Sequence, residues 1–161
     1  MRISILLLAS ALFFCSARNA EACDCISVPS SAPIKVNPAW KGMLGVGRIE
    51  AVRTFESNGI QTGVLAVDVI VSEAFQNATP GRVTIYTHPF GASCYGYDFR
   101  IGLEYLISAI PSESLDPDRE VIPNVLPAGS QIVSLCGGTA ELRTPAAQQT
   151  LDRLRAAFGK K

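Results

Sequence analysis

Val64-Leu65-Ala66-Val67-Asp68-Val69-Ile70-Val71 is the stretch on which the fold turns. Leu65, Val67, Val69 and Val71 recur at every second position and share one face, with Asp68 and Ser72 opposite. A period of two belongs to an extended strand, whose successive side chains alternate between faces. Outward from this strand the pattern repeats. Val83 and Ile85 alternate with Arg82, Thr84, Tyr86 and His88. Leu103, Tyr105, Ile107 and Ala109 make another set, and Val133 with Leu135 one more. Leu44 and Val46 change phase to Ile49 and Ala51 across Gly47, as at a β-bulge that bends a strand at a barrel corner. Turn signals separate the runs: Glu56-Ser57-Asn58-Gly59, Asn77-Ala78-Thr79-Pro80-Gly81, and the Pro- and Ser-rich residues 111–129. Five short antiparallel strands at this spacing predict a mainly β protein built on a small barrel.

One helix closes the chain. Thr144 suits its N-cap, Pro145 its first turn and Gly159 its end. Ala147, Leu151, Leu154 and Phe158 fall on one face, with Gln148, Asp152 and Arg155 away from it, so that face is expected to pack on the barrel.

The N-terminal residues read as a secretory leader. Met1-Arg2 gives a positive start, residues 3–14 are apolar or small, and Ala20-Glu21-Ala22 is an A-x-A cleavage signal. Cys15-Ser16-Ala17 places small residues at the same offsets, so cleavage after Ala17 is the alternative. The apolar run falls short of the roughly 20 residues that span a bilayer, and no later stretch approaches that length. Residues 1–22 are therefore expected to be a signal peptide and residues 23–161 one secreted domain, extracellular or, in a bacterium, periplasmic. Without Arg2, Arg18 and Glu21 the mature chain holds 12 basic and 13 acidic residues. Such a balance gives no basic surplus for a nucleic-acid backbone or an anionic membrane.

Export makes disulfides the natural use of Cys23, Cys25, Cys94 and Cys136. Four cysteines allow three pairings, of which Cys23–Cys25 would close a very tight, strained ring. The other two both tie the start of the mature chain to two distant points. Each closes a loop worth roughly 4 kcal/mol on the chain-entropy model.

Enzyme signatures are absent. The single histidine, His88, lies on the polar face of its strand and reads as a surface residue. There is no G-x-S-x-G elbow, Walker loop or H-E-x-x-H, and Gly45-Val46-Gly47 lacks the third glycine of a nucleotide fingerprint. Glu50, Asp68, Glu73 and Glu104 are scattered over several strands. Cysteines in C-x-C plus two remote singles make poor zinc-site spacing. No catalysis, no cofactor and a monomer are the expectations.

What the cysteines can do instead is hold an amine. Cleavage after Ala22 makes Cys23 the first residue, with a free α-amino group whose pKa lies near 8. Its nitrogen and the carbonyl oxygen of the same residue form a five-membered chelate. A rigid pair of this kind could displace the water from the open position of a catalytic zinc. Rigidity avoids roughly 0.5–1.5 kcal/mol of ordering cost per immobilised group.

Five segments then carry a family resemblance: Cys23-Asp24-Cys25, Gly47-Arg48-Ile49-Glu50-Ala51-Val52, Gly91-Ala92-Ser93-Cys94, Gly102-Leu103-Glu104-Tyr105-Leu106 and Ser134-Leu135-Cys136. From Cys23 to about Thr139 the chain resembles the N-terminal, netrin-like domain of the tissue inhibitors of metalloproteinases, in a short single-domain form. The resemblance implies a five-stranded OB-type barrel with flanking helices and disulfides Cys23–Cys94 and Cys25–Cys136. It implies a zinc metalloprotease as partner, its zinc bound in trans by the amine and carbonyl of Cys23. Asp24 would enter the specificity pocket, and the contact ridge would run through Cys25, Ile26, Ala92 and Ser93. Two features depart from the family. The animal inhibitors have a small hydroxyl residue where this chain has Asp24, and they carry a third disulfide. A carboxylate in a largely apolar pocket near the general-base glutamate of a protease would cost several kcal/mol.

The alternative is a non-inhibitory secreted netrin-like or OB binding or adhesion module. Its cysteines would be purely structural, and its function would lie in the loops around residues 55–60 or 111–127. Acylation of Cys23 would cap the amine and exclude chelation, and Ala20-Glu21-Ala22 is a poor lipobox. Asn77-Ala78-Thr79 is a glycosylation sequon on an expected turn, with Pro80 directly after it.

Overall fold

Asn58-Gly59 lies between two runs of strand-forming residues, and both residues adopt positive φ, 52° and 75°. That backbone twist matches the twist of an antiparallel pair joined by two residues. In the computed structural model, which describes residues 37–89, 96–115 and 125–159, this turn joins β1 (Met43–Ser57) to β2 (Ile60–Gln76). β3 (Gly81–Thr87) pairs with β2, and β4 (Glu104–Pro111) pairs with β1. The two-residue β5 (Gln131–Ile132) sits between β3 and β4, closing a barrel in the order β1-β2-β3-β5-β4 and back to β1. β6 (Ala140–Glu141) pairs with β4, and α1 (Pro145–Ala157) ends the chain. A closed five-stranded barrel with one C-terminal helix agrees with the sequence expectation and is consistent with an OB-like fold.

Two details correct that expectation. β1 and β2 span 15 and 17 residues, so they are not short. The strands are also not all antiparallel, since β3 and β5 meet in parallel through Tyr86 and Ile132. The reason is topological. Directions that alternate up and down cannot close around an odd number of strands, so a five-stranded ring must contain a parallel neighbour.

The barrel interior is filled by Val67, Val69, Val71, Ile85, Tyr105, Ile107, Ala109 and Val133, all at most 2% exposed. Each fully buried aliphatic side chain contributes roughly 1.5–3 kcal/mol. The opposite face of β2 is not left to water. Val64 and Ala66 pack there with Tyr86, Leu126 and Ile132 in a second cluster, flanked by Phe55 and Leu115.

The predicted phase change at Gly47 has a different origin. Leu44 and Val46 face outward and are covered by α1, while Met43 and Ile49 face the barrel, as plain alternation places them. β1 runs in unbroken register against β4 from Met43 to Arg48. The irregularity beside Gly47 is an extra residue, Ser72, in β2, and the extra residue of β1 itself is Glu50. Gly47 serves close approach instead. A Cβ there would collide with Val69 Cγ1 and lie 3.1 Å from the Ile70 carbonyl oxygen.

The strand expected through Val133 and Leu135 ends earlier, at Ile132. Val133 is buried in the barrel, but Leu135 falls in the turn at 135–138.

α1 matches its sequence expectation closely. Thr144 Oγ1 accepts from the Ala147 N–H at 3.3 Å, and Ala147, Leu151 and Leu154 are buried against Val46, Leu106 and Leu142. The Phe158 ring packs in a tilted arrangement against that of Phe75, with centroids 5.7 Å apart. Arg155, expected to point away, instead forks onto Glu73 of β2, with Nη2 to Oε2 at 2.8 Å and Nε within 3.2 Å of both carboxylate oxygens. Among the described residues no helix is long and apolar enough to cross a membrane.

Candidate functional site

At the end of β3 the chain places a threonine inside the barrel. Thr87 is fully buried, and a buried hydroxyl must be paired. Its Oγ1 donates to the Val133 carbonyl at 2.8 Å and accepts from the Tyr97 N–H at 3.0 Å. The Val133 N–H in turn donates to the Tyr86 carbonyl at 2.8 Å. One residue further, His88 forms a parallel bridge with Gly96. A Cβ at Gly96 would meet the His88 carbonyl oxygen and the Pro89 carbonyl carbon, each at 2.6 Å, so this close crossing requires glycine. Three segments thus converge at one end of the barrel: the end of β3, the chain around Gly96 and the chain leaving β5.

Aromatic packing stiffens the same region. Tyr97, Phe99 and Tyr105 form a triangle with ring centroids 4.7, 5.1 and 5.9 Å apart. The Tyr105 hydroxyl accepts from the Arg100 N–H at 3.0 Å. Burial pushes the Tyr97 phenol up to about 12, so it stays protonated and acts as packing. His88 is half-buried rather than on the surface as the sequence suggested, and burial pushes its imidazole below the ordinary 6.5.

Of the residues singled out from sequence, Cys23, Asp24, Cys25, Ile26, Ala92, Ser93 and Cys94 lie outside the described residues. Cys136 is described. It is exposed on the turn at 135–138 and is disulfide-bonded, to a partner outside the described residues. Asn77 is exposed with φ 49°, and its Nδ2 donates to the carbonyls of Trp40 at 2.8 Å and Gly42 at 3.0 Å. This amide ties the chain before β1 to the β2–β3 turn.

Two further features flank this end. β3 pairing reaches only Leu65 of β2, and β4 pairing reaches only Arg48 of β1, so residues 53–63 extend beyond the barrel as a two-stranded arm. Its base is fixed by the Phe55–Tyr86 edge contact at 5.1 Å and by Thr62 Oγ1 donating to the Phe55 carbonyl at 2.8 Å. Because Leu65 faces Thr87 across β2–β3, the arm leaves the barrel on the same side as His88. An open groove of about 320 Å³ also lies at the foot of α1, lined by Gly102, Leu103, Glu104, Leu142, Arg143 and Gln148. Among the described residues no group of three or more His, Cys, Asp or Glu side chains could hold a metal ion.

Sequence reasoning missed Thr87 and Gly96. Thr87 sits two positions after Ile85 and so shares its inward face, a signal available from alternation alone. Gly96, between Tyr95 and Tyr97, carries the usual mark of a close backbone approach, a glycine in a β-type run.

No protein-family model matches the chain, and no curated protein matches it.

Proposed function

We propose that the protein is a secreted metalloprotease inhibitor of the tissue-inhibitor, netrin-like type, acting through the amine and carbonyl of a mature N-terminal Cys23. The observation that carries this reading is the convergence at the end of β3. Gly96, two residues after Cys94, is bridged to His88. Val133, three residues before Cys136, bonds to Tyr86 and Thr87. Chain reach keeps Cys94 within about 7 Å of Gly96, and Cys136 within about 10 Å of Val133. A C-x-C pair spans at most about 7 Å, and disulfide Cα atoms lie about 5.5 Å apart. These bounds allow the two remote cysteines to receive Cys23 and Cys25 side by side, and the family resemblance then assigns the pairings as Cys23–Cys94 and Cys25–Cys136.

In this mechanism the two bridges fix the terminal residue before any partner is met. The amine and the carbonyl oxygen of Cys23 are the groups that would hold the zinc of the protease, and bound there they would take the place of the water that the metal activates. Asp24 enters the adjoining pocket, while Cys25, Ile26, Ala92 and Ser93 form the surrounding contact ridge.

The test is a tight-binding titration of a metalloprotease panel with oxidised protein beginning at Cys23. A second protein, with one alanine added before Cys23, is the control. Inhibition by the first and none by the second is expected. Folded samples of both that leave every protease active would sink the reading.

The β1–β2 arm favours a second reading, a secreted binding module whose cysteines only staple the fold. A two-stranded arm that extends beyond the barrel presents side chains and a backbone edge to a partner without any metal. Capture of a partner by both forms of the protein, with loss of capture on trimming residues 56–61, would select it.

A further inference from the structure

We propose that Asn58, at the tip of the β1–β2 arm, is a site of spontaneous conversion of amide to carboxylate, with Asn77 as its protected counterpart in the same chain. The two asparagines look alike in isolation. Both are exposed, both sit in turns and both adopt the left-handed region, with φ 52° and 49°. They differ in the next residue of the chain and in the bonds that hold their amides.

The chemistry is an internal cyclisation. The main-chain nitrogen of the next residue attacks the side-chain Cγ, forming a C–N bond and a five-membered succinimide. The Cγ–Nδ2 bond breaks and ammonia leaves, taking up the proton lost from the attacking N–H. Water then opens the ring at one of its two carbonyls, giving aspartate or its β-linked isomer. No oxidant, metal or enzyme is involved.

At Asn58 the attacking nitrogen belongs to Gly59, and the space a Cβ would occupy there has no atom within 4 Å. No β-carbon hinders ring closure, and none restricts the rotation the backbone needs to reach it. Among the described residues the Asn58 side chain has no hydrogen-bond partner, while Ile60, on the same turn, is 70% exposed. The hairpin is already irregular between Phe55 and Glu56, and the Thr62–Phe55 bond limits opening to the tip beyond it. Local opening of such a tip costs far less than unfolding the barrel. At Asn77 the attacking nitrogen would belong to Ala78, and the side-chain nitrogen is held by the Trp40 and Gly42 carbonyls. Cyclisation there must break both bonds, while at Asn58 it breaks none.

The two products act differently on the arm. Aspartate tolerates the left-handed region, keeps the turn, and adds a negative charge two residues from the exposed Glu56. The β-linked isomer puts an extra methylene into the main chain, which a two-residue hairpin cannot accommodate. The exposed end of the arm is thereby altered with time while the barrel is left intact.

The test uses the full oxidised chain aged at neutral and at mildly alkaline pH. Cleavage after Glu56 and Glu73 separates Asn58 from Asn77, and mass spectrometry tracks each peptide. Asn58 should convert at least about tenfold faster than Asn77, the difference expected from two hydrogen bonds and a β-carbon. Both aspartate and its β-linked isomer should appear, and the rate should rise with pH as the Gly59 N–H becomes easier to deprotonate. Gly59→Ala should suppress conversion, which strain at the tip alone would not do. Equal rates at Asn58 and Asn77, or undiminished conversion in Gly59→Ala, would overturn the proposal.

Discussion

Thr87 Oγ1 donates to the Val133 carbonyl oxygen at 2.8 Å, with both residues fully buried. The same oxygen accepts from the Tyr97 N–H, so one hydroxyl joins the end of β3, the chain leaving β5 and the chain after Gly96. Thr87→Val keeps the volume but strands a buried carbonyl and a buried N–H. Each unsatisfied group costs about 1–3 kcal/mol, so destabilisation of about 2–6 kcal/mol is expected. Thr87→Ser keeps both bonds and should cost about 1 kcal/mol through its lost methyl group. Urea unfolding with an unchanged m-value checks both. Equal losses in the two variants would mean that packing, and not the hydroxyl, matters there.

The elements legible in the sequence are those whose signals are local. The helix announced itself through Thr144, Pro145 and the Ala147–Leu151–Leu154 face, and the caps and burial agree with it. β2 and β4 were legible because their inward residues recur at every second position through 65–71 and 103–109, although the 17-residue length of β2 was not. What failed was non-local. β5 holds two residues, too few for any period to register, and only the closed ring gives it a place. Gly47 was misread because Leu44 and Val46 are apolar for a reason more than a hundred residues away, the cover of α1. His88 was misread because alternation names the face but not what packs over it. The proposed chemistry was read from Cys23-Asp24-Cys25, which lie outside the described residues. Thr87 and Gly96 gave weaker signals, an inward phase and a glycine in a β-type run, whose meaning shows only once three segments meet.

Stability should fall with acid in two separate windows. Burial lowers the His88 pKa in the fold below its ordinary 6.5. The unfolded chain then takes up a proton first, so stability is unaffected above about 6.5 and declines as pH falls toward the folded value. Asp68 is held below its ordinary 3.8 by the side-chain bond from Arg53 and then by that from Thr84. Its contribution is present above 3.8 and is lost as pH falls below that through the folded value. His88→Gln should flatten the upper limb alone and Asp68→Asn the lower limb alone, read as urea midpoints against pH. A wild-type profile flat between 7 and the Asp68 window would contradict the burial of His88.

If Cys23 chelates a protease zinc, Asp24 works against it. Its carboxylate would be desolvated in an apolar pocket near the general-base glutamate, and such a charge costs several kcal/mol without a partner. Asp24→Ser should therefore tighten inhibition by at least about tenfold. The wild-type protein should also gain relative to this variant as pH falls, because protonated Asp24 carries no charge into the pocket. Inhibition constants of both proteins across pH 5.5–8 provide the check. Weaker inhibition by Asp24→Ser at every pH would show that the carboxylate makes a favourable contact with its target.

Cys136 is in a disulfide, and under the proposed reading its partner decides how the N-terminus is held. A bond from Cys136 to Cys25 closes a loop of more than a hundred residues, so its loss should cost roughly 4–5 kcal/mol on the chain-entropy model. Double-mutant cycles identify the partner without assuming any geometry. Once Cys136→Ser has removed the bond, removing its true partner should add less than about 0.5 kcal/mol, because nothing remains to break. Removing a member of the other bridge should add its full cost. The expected order is that Cys25→Ser is nearly silent in the Cys136→Ser background, whereas Cys94→Ser destabilises further. Cys23→Ser being the silent one would cross the bridges. The mature terminus would then be tied toward the turn at 135–138 rather than toward Gly96, and Ala92 and Ser93 would no longer be brought beside Cys23 by a bridge to Cys94.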